Sequence, residues 1–284
     1  MGRSDQSKKQ TARPCVVCDY TLLVPVLLLV GIGVAMIYSA SCEIALKQFG
    51  NEYYFFKKQL IFAGLGAMVM LMIRFIPYRI YRPLTYLFFI TAIILLTLLL
   101  VNGVGHAAGG ATRWIRLKWV SFQPTEFAKL ALIIFMAYSL TKKQDRIEEL
   151  NIGFLPHVLI LCLFSGLIIL QPDFGSIAIM WMLAWVVMFA GRVRVLHLTL
   201  TFLMMLPVAT YLIVSSEYRL KRFLIFLDPW RYPLDEGYQI IHSLMAFGSG
   251  GLLGKGFGQG YQKLFYLPTP HTDFIFSVIG EEGG

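Results

Sequence analysis

Seven stretches of this chain stay apolar for about the thickness of a bilayer. They lie near 20–41, 59–76, 84–102, 125–141, 153–170, 174–190 and 196–214, and an eighth begins at about 273. A helix needs roughly 20 apolar residues to cross the hydrocarbon core. No water is available there for unpaired backbone groups, so a spanning chain must be helical or form a closed barrel. Continuous apolar runs of this length, without strand alternation, predict helices. The expected fold is an all-α polytopic membrane bundle with seven complete spans and the start of an eighth. Composition agrees: 57% of the residues are hydrophobic and 14% charged, against roughly 45–50% and 25% in soluble domains.

The segments between the runs set the organisation. Residues 1–19 read as a basic cytoplasmic tail and 20–214 as the seven-span body. Residues 215–272 read as a large extracytoplasmic loop, and 273–284 as a truncated eighth span. The first run is longer than a signal peptide's apolar region of about 7–15 residues, and further spans follow it, so it is read as a retained helix. Dense cations in short segments (Arg79 and Arg82, Lys142 and Lys143, Arg192 and Arg194) place the N-terminus inside. Arg113, Arg116 and Lys118 then fall outside, against that rule, which marks them as candidates for function. The 215–272 loop is too long for a plain connection. Its "SSEYRLKRFLIFLDPWRYP" reads as an interfacial amphipathic helix, and "EGYQIIHSLMAFGSG" as a segment that skims or re-enters the membrane.

The net charge of +9 points to anionic lipid or a phosphate-bearing substrate, since nucleic acid fits poorly with a membrane body. Cys15 and Cys18 form a CxxC with no second pair, at best half a zinc site. The five histidines have no metal-ligand spacing. "GLLGKGFGQG" is not a nucleotide-binding P-loop, because Ser249 stands where the first glycine is required and Gly256 where the hydroxyl is required. Its glycines suit either a flexible turn or a close approach of backbone to backbone or ligand.

Three acidic positions stand out. In "SFQPTEFAKLALII", Pro124 suits a helix start, and Glu126 and Lys129 share a helix face. Charges entering the membrane are expected to face the interior and pair, either to fix packing or to take a direct part. Asp173 in "QPDFGS" reads as a turn or helix-capping residue. Asp273, in "PHTDFIFSVIGEE", stands at the threshold of the last apolar run. It is either an N-cap or a general base held where wet meets dry, with His271 as its neighbour.

Taken together, "GGATRWIRL", "FQPTEFAKLALI", "LQPDFGS", "FLDPWRYPLDEGYQ", "SLMAFGSGGLLGKGFGQGYQK" and "YLPTPHTDFIFSVIGEE" resemble the SEDS family (shape, elongation, division and sporulation). "DPW", "GYQ", "QK" and "YLP" are closer to its cell-division branch, FtsW, than to its elongation branch, RodA. The resemblance runs from the first span to the last residue. It implies a ten-helix body, and hence a chain truncated at its C-terminal side. It implies a bacterial cytoplasmic-membrane glycosyltransferase that polymerises lipid II (undecaprenyl-pyrophosphate disaccharide pentapeptide) with inversion, at the outer face and at the division septum. Its essential aspartate falls on Asp273. Arg113, Trp114, Glu126, Lys129, Arg222 and Lys263 match other family positions. Implied partners are a class B penicillin-binding protein transpeptidase and other division membrane proteins. Thr269-Pro270 and Gly283 depart from the usual pattern without touching the aspartate.

The chemistry needs a base to take a proton from a sugar hydroxyl, and cations to meet the diphosphate that leaves. Asp273 is the candidate base, and Arg113, Arg222, Lys255 and Lys263 are the candidate cations. A divalent ion, magnesium or manganese, bridging diphosphate and carboxylate is the one cofactor considered, and no dedicated metal cage is visible. Two other functions remain. A lipid II flippase would use intramembrane charges such as Glu126 and Lys129. A non-catalytic division scaffold would recruit the transpeptidase and tolerate changes at Asp273.

Overall fold

The computed structural model describes residues 20–101, 106–108, 111–116, 121–234, 237–264, 267 and 270–284. The basic tail, with Cys15 and Cys18, lies outside the described residues. Ten α-helices appear among those described. The chain divides into two compact units, one of Met1–Ile76 with Ile213–Gly284 and one of Pro77–Leu212.

The first unit begins with α1 (Tyr20–Phe49) and α2 (Tyr54–Ile73). Helix α1 is longer than expected. It runs through Cys42–Phe49 because nothing breaks it until Gly50, whose φ of 65° suits a left-handed helix end. Thirty residues rise roughly 45 Å, well beyond a ~30 Å core. The part beyond residue 41 is amphipathic only in patches, which hid it in the hydropathy pattern. Helix α2 buries no residue, as expected of a helix facing lipid. Later in the chain come α8 (Glu217–Leu227), α9 (Gly237–Gly250) and α10 (Ile275–Gly283). Helix α8 is the amphipathic helix expected, ending just before Pro229. Helix α9 packs on α10 and α8, and α10 also packs on α1. A small core of Met36, Ala40, Leu267 and Val278 joins α1 to α10.

The second unit holds α3 (Tyr81–Leu98), α4 (Pro124–Lys142), α5 (Leu155–Ile169), α6 (Phe174–Ala190) and α7 (Val195–Val214). Its core includes Leu96, Leu132, Met136, Phe164 and Met180, with Ala92, Ala128, Ala131 and Ala184 at the crossings. Such small residues let helices approach closely where no hydrophobic effect drives them together. Isolated polar ties cross this core: Trp181 Nε1 donates to Ser165 Oγ at 2.9 Å, and Gln171 Nε2 to the Leu96 carbonyl at 3.0 Å. The loop after α3, singled out above for its cations, carries a small antiparallel sheet of β1 (His106–Ala108), β2 (Ala111–Arg116) and β3 (Ser121–Phe122), in the order β1-β2-β3. The strands are too short for a period-2 pattern to show in the sequence.

Among the described residues, five helical stretches are long and apolar enough to cross a membrane: Tyr20–Phe49, Tyr54–Ile73, Tyr78–Leu98, Leu150–Ile169 and Val195–Val214. Helix α6, an apolar helix of 17 residues, stands at the short end of the ~17–25 that span. Helix α4 carries Glu126, Lys129 and Lys142. This is a multi-pass membrane protein.

Asp173 caps α6. Its carboxylate accepts the Ser176 N–H at 3.3 Å and the Ser176 hydroxyl at 2.6 Å, and it is buried. Asp173→Ala is expected to cost about 1–2 kcal/mol, read as a lowered thermal unfolding midpoint in detergent, whereas Asp173→Asn retains most of the cap.

Candidate functional site

Asp273 lies in the turn that leads into α10. The N-cap of that helix is Phe274, and no side chain caps it. The capping alternative for Asp273 is therefore not realised. Asp273 is exposed, as is Thr272 before it, while His271 and Phe274 on either side are partly buried. Two residues earlier, the His271 ring stacks on Phe55 of α2 with centroids 4.4 Å apart. Burial pushes the His271 pKa below its usual value, and Asp273 opposes that shift. The ring is thus neutral near pH 7. Its Nδ1 is buried without a hydrogen-bond partner.

The next residue of α2, Phe56, lines a cavity of about 600 Å³ whose other walls include Tyr38, Ser39 and Cys42 of α1 and Phe257 and Lys263 of the glycine loop. Tyr38 and Phe56 meet edge to face at 5.7 Å, and Tyr38 stacks on Tyr53 at 5.4 Å. The cavity therefore combines aromatic surface with a hydroxyl, a thiol and an ammonium group, a mixture suited to an amphipathic ring such as a sugar.

Beneath this cavity lies a cluster that sequence reading missed. Glu281 and Glu282, at the end of α10, are 0% and 2% exposed. Glu282 Oε1 accepts Lys263 Nζ at 2.6 Å, and Oε2 accepts the Gly258 N–H at 3.0 Å. The Ser39 hydroxyl stands 2.9 Å from both oxygens and accepts Lys263 Nζ at 2.8 Å. Glu281 Oε1 accepts Lys255 Nζ and the Tyr261 N–H, each at 3.0 Å, and Oε2 accepts the Gln262 N–H at 3.0 Å. The glycines make this wrapping possible. Gly254, Gly256 and Gly258 all have positive φ, and a side chain at Gly254 would collide with the Glu282 backbone. Of the two readings of this loop, the close approach of backbone to backbone is the one realised.

Lys255 and Lys263 were expected as cations for a diphosphate. The structure gives both a carboxylate partner instead, so their charge is already balanced. The clue available in sequence was the pair of acids in "IGEEGG" inside an apolar run, preceded by two lysines. Arg222 is exposed on α8, its guanidinium 4.6 Å from the centre of the Tyr218 ring.

The remaining candidates belong to the second unit. Arg113 and Trp114 lie on β2, with Trp114 paired in register to His106. Lys129 donates to Glu126 at 2.7 Å; the lysine side chain is 13% exposed and the glutamate 60%. The expected pair forms, but only its lysine faces inward. A cavity of about 370 Å³ in this unit is lined by residues such as Glu148, Glu149, Arg194 and His197 and by none of the expected site residues. No three metal-type ligands converge among the described residues.

Residues 20–284 match the FtsW/RodA/SpoVE family, described as "Cell cycle protein". A probable peptidoglycan glycosyltransferase FtsW of Trichlorobacter lovleyi is 46% identical over 266 residues, 94% of this chain and 70% of that protein. Stage V sporulation protein E of Bacillus subtilis is 41% identical over 266 residues, 94% of this chain and 73% of that one. Among solved structures, a chain of a peptidoglycan synthase complex that coordinates polymerization and crosslinking superposes with a TM-score of 0.70 at 29% identity, covering 94% of this chain and 71% of that one. The rod shape determining protein RodA of Thermus thermophilus gives 0.58 at 25%, covering 94% and 67%.

Two outcomes test this geometry. Removing one member of a buried pair strands the other charge, so Lys263→Met is expected to cost about 3–5 kcal/mol, and Lys263→Met/Glu282→Gln much less than the sum of the single changes; equilibrium unfolding of all three variants measures it. His271 binds fewer protons folded than unfolded, so its contribution is complete above its usual value of 6.5 and declines as pH falls. His271→Phe should therefore flatten the loss of unfolding midpoint between about pH 7 and pH 5.

Proposed function

The chain belongs to the FtsW/RodA/SpoVE family of cell cycle proteins, and on that premise we propose that it is a peptidoglycan glycosyltransferase of the FtsW type, polymerising lipid II for the septal wall in cell division. The observation that carries this reading is the 46% identity to a probable FtsW along 94% of the chain, together with an exposed acid, Asp273, in the turn whose His271 packs on Phe55 of α2.

Each turnover joins a sugar hydroxyl to an anomeric carbon that carries lipid diphosphate. Asp273 takes the hydroxyl proton as the new C–O bond forms, and the diphosphate departs with the electrons of the old one. Direct displacement of this kind inverts the anomeric centre. Base assistance contributes typically 10²–10⁴-fold. Neutral His271 offers its Nδ1 as a hydrogen-bonding group at the same turn. With Lys255 and Lys263 committed to glutamates, the guanidinium candidate of the first unit for the developing diphosphate charge is Arg222, which suits phosphate oxygens by its paired N–H groups. Asp273 is a single carboxylate, and the neighbouring glutamates are saturated by donors. Among the described residues, these do not make a protein-held site for magnesium or manganese.

The first unit supports the expected orientation. Ser39, in the second half of α1, binds Lys263 of the glycine loop, so that part of α1 and the loop lie on one side of the bilayer. A basic N-terminal tail on the inner side puts both outside, at the extracytoplasmic face of the cytoplasmic membrane. The superposition on a peptidoglycan synthase complex supports a penicillin-binding transpeptidase as partner.

The test is purified full-length enzyme given lipid II in detergent. Asp273→Asn is expected to lower glycan polymerisation at least about 100-fold while leaving thermal unfolding unchanged, since exposed substitutions stay within about 0.5 kcal/mol. Polymer at the wild-type rate would overturn the role of Asp273. Transbilayer movement of lipid II with no polymer from wild type would favour a flippase.

A further inference from the structure

The buried glutamates do no chemistry in the reaction above, and their burial is unfavourable in itself. Apolar residues of similar size often hold a fold as well as a buried ion pair does. What the carboxylates supply is geometry. Glu282 has an N–H donor on each oxygen, Lys263 on one and the Gly258 amide on the other. Glu281 is arranged likewise, with Lys255 and Tyr261 on one oxygen and Gln262 on the other. An amide side chain would turn its own NH₂ against one of these donors in either orientation, so only an ionised carboxylate satisfies both.

The segment held in this way is also a wall. Phe257, Gly258, Lys263 and Leu264 line the 600 Å³ cavity. Ser39 lines it from α1 while bonding both Glu282 and Lys263. The distance between the α1 wall and the loop wall is therefore fixed through Glu282, which is 2% exposed and does not line the cavity.

We propose that Glu282 is a positioning residue for the transferase: through Lys263, Ser39 and the Gly258 amide it sets the width of a cavity that receives a saccharide ring of the lipid-linked substrate against Tyr38, Phe56 and Phe257. The saccharide assignment rests on the transferase reading; the control of cavity width by Glu282 does not.

The experiment uses full-length enzyme in which every cysteine except Cys42 is serine. Cys42 lines the cavity and reports its opening through the rate of reaction with a water-soluble maleimide, with no need for turnover. Two variants are compared with the parent: Lys263→Met/Glu282→Gln, which leaves no lone buried charge, and Ser39→Ala, which leaves the ion pair in place. The double variant is expected to label about fivefold faster and to raise KM for lipid II about tenfold, with a smaller fall in kcat, the pattern of lost binding rather than lost chemistry. Ser39→Ala should move both readouts in the same direction by less. Parental labelling and KM in Ser39→Ala overturn the proposal if the double variant either matches the parent or fails to fold. Equal falls in kcat and kcat/KM at unchanged labelling also overturn it. Asp273→Asn is assayed alongside. If it still polymerises, the transferase assignment of Asp273 fails, while the labelling rates continue to judge Glu282.

Discussion

Lys263 and Glu282 meet at 2.6 Å where neither has appreciable contact with water, and the arrangement of the first unit depends on that contact. The pair joins three segments far apart in sequence: the glycine loop, the end of α10 and, through Ser39, the outer part of α1. A buried carboxylate tolerates such a place only when its lone pairs are met by donors. Meeting them required a loop whose backbone could turn its amides inward, and hence glycines with positive φ at 254, 256 and 258. The glycine spacing, the lysines and the paired acids are one solution to one electrostatic problem.

The two units are held by different means. The second has an apolar core with alanines at its helix crossings and isolated polar ties such as Trp181 to Ser165. The first has a small apolar core, Met36, Ala40, Leu267 and Val278, and relies more on ionic and backbone hydrogen bonds. This contrast matches their content. Helices packed against helices need little beyond shape, whereas a loop carrying chemistry needs directional bonds to hold it.

Much of the fold was legible because lipid imposes simple rules. The apolar runs gave the seven helices of residues 20–214, Pro124 marked the start of α4, Asp173 read as a cap, and "SSEYRLKRFLIFL" read as an amphipathic helix. The full extent of α1 was not legible, because hydropathy ends at the membrane surface while helical backbone continues to Gly50. The small sheet escaped because its strands are too short for a period to show. At the candidate site, Asp273 is singled out by the family resemblance more than by chemistry, which could not separate a base from a cap. Glu281 and Glu282 were passed over because their partners lie about twenty to more than two hundred residues away, and no local pattern reports such pairing. For the same reason Lys255 and Lys263 looked available when they are not.

Asp273 precedes helix α10, and the anchored Glu282 lies two turns into it, so roughly 13 Å of rigid helix separates the acid from the glutamate. A rod of that length swings its tip by roughly 2 Å for ten degrees of tilt, close to the difference between a proton-transfer distance and none. The stiffness of the mooring at the far end thus becomes aim at the near one.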